Sequence, residues 1–229
     1  MRKQRMVLRC QCDPSCPEKP EPRQAFCKQH LLRCPNYSPL SGSEPVYGSD
    51  KYNKTIEMLD SHNCFAYAVD HVDIPDKSKC NKQGCDVPFH QPGRKSGYPK
   101  WSKVNGKRCP DLIGRLKGDI PGIYRSTFTR RCKRGFNKIA IVVDPKSDYH
   151  CYRQDKDGTW SHKPGGTKVT RLDASGRPIY NPELADRDYS KDSGLNYNHF
   201  CSYLCVPKRT PKLKRGGGRS STRRRRRSV

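Results

Sequence analysis

Hydrophobic residues are scarce in this chain, at 32% of 229 positions, with a mean hydropathy of −1.03. So little apolar material cannot bury the whole length, and loops or tails must carry a good part of it. No apolar run approaches the roughly 18 residues that span a bilayer. The longest, Ile139 to Val143 (IAIVV), reads as a strand. The N-terminus MRKQRMVLRCQC is charged and lacks the apolar stretch of a secretory signal. These absences predict a soluble protein kept inside a cell, not secreted and without a membrane partner. No internal repeat is found, and 216-GGG-218 lacks the strand and helix that a phosphate-binding glycine loop needs.

Acidic residues are also few: 22 Asp and Glu stand against 47 Lys and Arg, a net charge of +25. From Pro207 to Val229 there are eleven basic residues and no acid. Polyanions, nucleic acid among them, are the expected partners through counterion release. The run Arg223, Arg224, Arg225, Arg226 and Arg227 is the expected contact.

What the chain does have is cysteine, thirteen in all. An odd number without a signal peptide predicts reduced thiols rather than a secreted disulfide framework. Five of them lie in residues 1–36, a segment with hardly any core material. There Cys27-x2-His30 is preceded by Cys16 and by Cys10 and Cys12, a set of ligand types and spacings suited to tetrahedral zinc. Either Cys10 or Cys12 completes the four, with Cys34 as a replacement for either. Metal binding would supply the folding free energy that burial cannot. Cys80-x4-Cys85, with His90 nearby and Cys109 or Cys132 further on, is a looser second metal candidate. Cys201 and Cys205 read as core packing.

The chain divides into residues 1–36, a zinc-knuckle-like segment; 37–55, a Ser/Pro/Gly/Tyr-rich linker; 56–207, the only part able to build a core; and 208–229, a disordered basic tail. In 61-SHNCFAYAVD-70, Ser61 and Asn63 are N-cap residues, and apolar side chains at 65, 66, 68, 69 and 72 predict a helix from Cys64 to Val72. The stretch 74–138 is rich in turn residues and gives no clear element. Strands follow at Lys138–Val143, Tyr149–Arg153, Thr159–His162 and Phe200–Val206, with Asp157-Gly158 turning a hairpin. A helix followed by antiparallel strands makes an α+β fold.

A thiol at a helix start is a nucleophile when an imidazole is brought to it. Strand alternation puts Asp148, His150 and Tyr152 on one face, with Tyr149 and Cys151 on the other. The hairpin then returns His162 beside His150.

A helix opened by Asn-Cys-x-x-Tyr-Ala, then strands carrying a His and a second polar residue, resembles the papain-like superfamily, most closely its compact NlpC-type branch. The resemblance implies a core helix on a small antiparallel sheet, with Cys64 as nucleophile, His150 as base and His162 as orienter. Asp148 is the substitute for that third role. The NCFAYA, DYHxYRQ, WSHKPGG and FCxYxCVP segments look similar to uncharacterised proteins of large eukaryotic DNA viruses, and the Cys-x2-His segment to zinc knuckles of such viruses. Together these imply a viral thiol hydrolase (protease, isopeptidase or amidase) in host cytoplasm, nucleus or virion. The alternative is a non-enzymatic basic virion or nucleic-acid-binding protein on the same scaffold.

Overall fold

The computed structural model describes residues 8–101, 107–209 and 212–216. Three short helices come first: α1 (Ser49–Asn53), α2 (Ile56–Ser61) and α3 (Cys64–Ala68). Thr55 and Asn63 cap the second and third, their side chains accepting from the amides of Met58 and Ala66. The predicted helix from Cys64 is shorter than its apolar spacing suggests. Asp70 adopts φ 51°, and the His71 amide closes back on the Ala66 carbonyl at 2.9 Å. This left-handed stop ends the helix and turns His71 and Asp73 back toward the body of the protein.

A two-residue ladder, β1 (Cys80–Asn81) with β2 (Gly84–Cys85), precedes α4 (Cys109–Asp119). The last helix is absent from the sequence reading because Pro110, Gly114 and Gly118 look like breakers. Their packing explains them. A Cβ on Gly118 would sit 2.6 Å from Ser96 Oγ, and one on Gly114 3.3 Å from the Tyr98 hydroxyl, so the glycines admit the 93–98 loop against the helix.

The main sheet comprises β3 (Tyr124–Ser126), β4 (Phe136–Asp144), β5 (Asp148–Gln154) and β6 (Trp160–His162). A further ladder of β7 (Asp188–Tyr189) with β8 (Leu195–Asn196) precedes the long strand β9 (His199–Pro207). The main sheet is antiparallel throughout, in the order β3-β9-β4-β5-β6. The four strands read from sequence are all present, each extended or trimmed by a residue or two. Gly158 at φ 86° makes the turn between β5 and β6. The fold is thus α+β, with few helices and antiparallel sheets.

The sheet's two faces bury different cores. Ile139, Ile141, Val143, Tyr149, Cys151, Leu204 and Val206 meet α3 and α4 through Phe65, Leu112 and Leu116. On the other face Ala140, Val142, Tyr152, Trp160 and Tyr203 are covered by the 171–198 segment, including Ile179, Ala185 and Tyr197. Residues 37–55 lie against this body: Ser41 Oγ donates to the Phe136 carbonyl, and Tyr52 is fully buried. Of the basic tail, residues 212–216 are held in place, Arg215 bonding the carbonyls of Ser61 and Pro88. Arg223 to Arg227 lie outside the described residues.

Four disulfides join Cys12–Cys34, Cys80–Cys85, Cys109–Cys201 and Cys132–Cys205. They correct the expectation of reduced thiols throughout. The second metal candidate built on Cys80, Cys85, Cys109 and Cys132 is ruled out, since a bridged sulfur has no thiolate to give. Cys201 and Cys205 pack in the sheet as partners in bridges.

Candidate functional site

The N-terminal segment wraps four ligand atoms around one point. Cys10 Sγ lies 3.3 Å and Cys27 Sγ 3.2 Å from His30 Nδ1, and Cys16 Sγ lies 3.6 Å from Cys27 Sγ. A tetrahedral zinc ion with ordinary ligand bonds would set sulfurs about 3.8 Å apart and sulfur to nitrogen about 3.5 Å apart. The observed spacings fit that set closely. A short helical turn, Lys28–His30, places Cys27 and His30 on one side of the chain. The Cys27 amide and the Gln29 side-chain amide donate to the sulfurs of Cys10 and Cys16 at 3.2 and 3.1 Å. Cys12 is not the fourth ligand. It is bridged to Cys34, which settles the choice between Cys10 and Cys12 in favour of Cys10.

This segment is docked on the α+β body chiefly through Gln11 and Phe26. Gln11 is fully buried; its oxygen accepts from the amides of Tyr180 and Asn181 at 2.7 and 3.0 Å, and its nitrogen donates to the Pro178 carbonyl at 3.1 Å. Phe26 packs edge-on to Tyr180 with centroids 4.6 Å apart.

The second group of sequence candidates lines a cavity of about 460 Å³, bordered by Cys64, Asp148, His150, His162 and Tyr197. The structure joins His150 and His162, their Nε2 and Nδ1 being 2.7 Å apart. His162 Nε2 faces the Leu172 carbonyl at 2.9 Å. A carbonyl only accepts, so His162 carries its proton on Nε2 and accepts from His150 on Nδ1. Burial holds both imidazoles below their ordinary range, His162 at about 4, and the charge of His162 adds to the lowering of His150. Asp148 receives the Tyr197 hydroxyl at 3.1 Å, and burial raises its carboxyl.

Cys64 lines the same cavity as this pair. Its helix packs on the face bearing Tyr149 and Cys151, and its sulfur lies 4.0 Å from the Tyr149 carbonyl. A hydrogen bond with Cys64, together with burial, pushes the Cys151 thiol up. The His150 ring stacks instead with Tyr152, Tyr197 and His162 on the opposite face. Among the described residues no hydrogen bond joins Cys64 to His150. A helix of five residues also gives the thiol little dipole stabilisation.

No family model matches the chain, and no solved structure matches it. The chain is similar to Insoluble matrix shell protein 1 of Ruditapes philippinarum, at 39% identity over 99 residues. That similarity covers 43% of this chain and 62% of the relative, so it spans less than two thirds of that protein. It overturns the expectation of a viral thiol hydrolase, because the relative is named as a matrix protein of a shell. No helix among the described residues is long and apolar enough to cross a membrane.

Proposed function

We propose that this chain is an extracellular structural protein of an insoluble matrix, a basic module stapled by disulfides and by zinc. The four bridges carry this reading, since such bonds persist in oxidising compartments and are rare in reducing ones. The name of the shell-matrix relative supports it. Cys10, Cys16, Cys27 and His30 hold zinc as a closed structural site, protecting three thiolates that would otherwise oxidise. The Cys-headed helix on an antiparallel sheet is an arrangement similar to a papain-like scaffold, used here as a framework. A net charge of +25 suits association with acidic, carboxylated or sulfated matrix polymers.

Thiol titration of the full chain, secreted from an oxidising compartment and unfolded with chelator, tests the central claim. Five free thiols are expected, those of Cys10, Cys16, Cys27, Cys64 and Cys151. A count of thirteen would overturn the reading. Retention on an immobilised polyaspartate or heparin column should fall steeply with salt, and a salt-independent passage would remove the polymer partner.

A further inference from the structure

The left-handed stop after α3 brings three residues together that the sheet and the N-terminal segment do not use. His71, Asp73 and His90 each present a ligand atom within 4.8 Å of the others. His90 is fully buried and His71 nearly so. Their rings meet edge to face with centroids 4.8 Å apart. Two nitrogens here, His71 Nε2 and His90 Nδ1, are buried with no hydrogen-bond partner. Leaving a buried polar atom unmatched costs about 1–3 kcal/mol, and the one on His71 lies in this His/Asp cluster, whose ligand atoms are within 4.8 Å of one another. We propose that His71, Asp73 and His90 bind a divalent transition-metal ion, with zinc as the best-matched one.

The donor set is the reason. Two imidazoles and one carboxylate, with a fourth position left for water, suit zinc in an open site. His90 Nε2 and Asp73 Oδ2 are 3.1 Å apart, close to the roughly 3.3 Å between N and O ligands of one tetrahedral ion. His71 supplies the third ligand atom, within 4.8 Å of the other two. The Asp73 side chain is 43% exposed, which leaves an entry path and the open position.

The surroundings fix the carboxylate from its other side. Arg215 bonds Asp73 Oδ1 at 2.5 Å, and His62 Nε2 lies 3.5 Å from the same oxygen. His62 itself is satisfied: its Nδ1 meets the Met58 carbonyl at 3.2 Å and its Nε2 accepts from the Asp73 amide at 3.2 Å. It therefore supports the site without ligating. This site stands on its own residues and does not depend on the cysteine cluster or on the matrix reading.

The test is zinc titration of the chelator-stripped full chain, with metal content read after gel filtration. Two ions per chain are expected for the native protein, one for Cys27→Ser, and one for His71→Gln with Asp73→Asn. Loss of these ligands should weaken the second ion by more than about 100-fold, beyond what outer-shell changes cause. Cobalt separates the sites: thiolate charge-transfer absorption belongs to the first, and the second equivalent adds none. Should the double variant fail to fold, the native chain still decides. The imidazole resonances of His71 and His90 must move with the second equivalent. A native chain that binds one ion, with those resonances unmoved, overturns the proposal.

Discussion

Removing the two bridges that end on β9 should destabilise the domain more together than twice the loss from either alone. Cys109–Cys201 closes 92 residues and Cys132–Cys205 closes 73. Taken singly, their loop entropies are worth about 4.6 and about 4.4 kcal/mol. The loops overlap, and that changes the arithmetic. With one bridge intact, the ends of the other are already linked by a path of about 27 residues, from 132 back to 109 and from 201 on to 205. Closing that shorter loop is worth about 3.5 kcal/mol. Either pair changed to Ala should therefore cost about 3.5 kcal/mol, and both pairs about 8 kcal/mol. Packing lost at buried Cys205 and Cys132 adds to the variants that include them. Since whole domains are stable by about 5–15 kcal/mol, the four-cysteine variant should lie near the edge of folding. Guanidinium unfolding at pH 7 under non-reducing conditions, followed by tryptophan fluorescence, measures this. Equal midpoints for all variants, or a double loss no larger than a single one, would refute both the pairing and the loop argument.

Three further outcomes are expected. Chelation of the N-terminal metal, or Cys27→Ser, should make residues 8–36 protease-sensitive while the sheet keeps its amide-exchange protection, because that segment has almost no apolar core of its own. Lys163 is fully buried, with Nζ donating to the carbonyls of Leu59, His62 and Gly165 at 2.6, 2.6 and 2.8 Å; Lys163→Met should cost about 3 kcal/mol or more in chemical unfolding by stranding those acceptors. The His162 imidazole is depressed by burial to about 4 from an ordinary 6.5, so the unfolded chain takes up the proton first as pH falls. Its contribution is complete above about pH 6.5 and is lost as pH falls to about 4, roughly 3 kcal/mol in all; His162→Gln should show a correspondingly flatter stability profile over that window, and an unchanged slope would contradict it.

The sheet was legible because period-two alternation and the Asp157-Gly158 turn are local signals. They located β4, β5, β6 and β9 and put His162 beside His150. What alternation cannot supply is the face on which a distant helix lands. Helix α3 settled on the Tyr149 and Cys151 side, while the His150 ring packs against Tyr152. The helix α4 was invisible because its glycines serve a loop contact that only the fold creates. The meeting of His71 and Asp73 with His90 depends on one left-handed residue, Asp70, which no periodicity announces.

The odd cysteine count misled for a reason that the structure makes clear. Parity speaks only when every thiol has the same fate, and here there are three fates. Eight sulfurs are bridged, three join His30 in the N-terminal cluster, and Cys64 and Cys151 are left facing each other in the core. A histidine in a four-ligand set makes its thiol number odd, which is how thirteen arises in a chain with a full complement of bridges. The two kinds of staple also divide the work by burial. Bridges ending on β9 tighten a body that already has a sheet and two cores, whereas the metal cluster organises a segment with almost no core, anchored by Gln11 alone among its buried polar side chains. Oxidation and metal binding can then be lost independently. On the proposed reading, chelation leaves the body folded and reduction is needed to open it, which is the order of events that the bridge and chelation experiments compare.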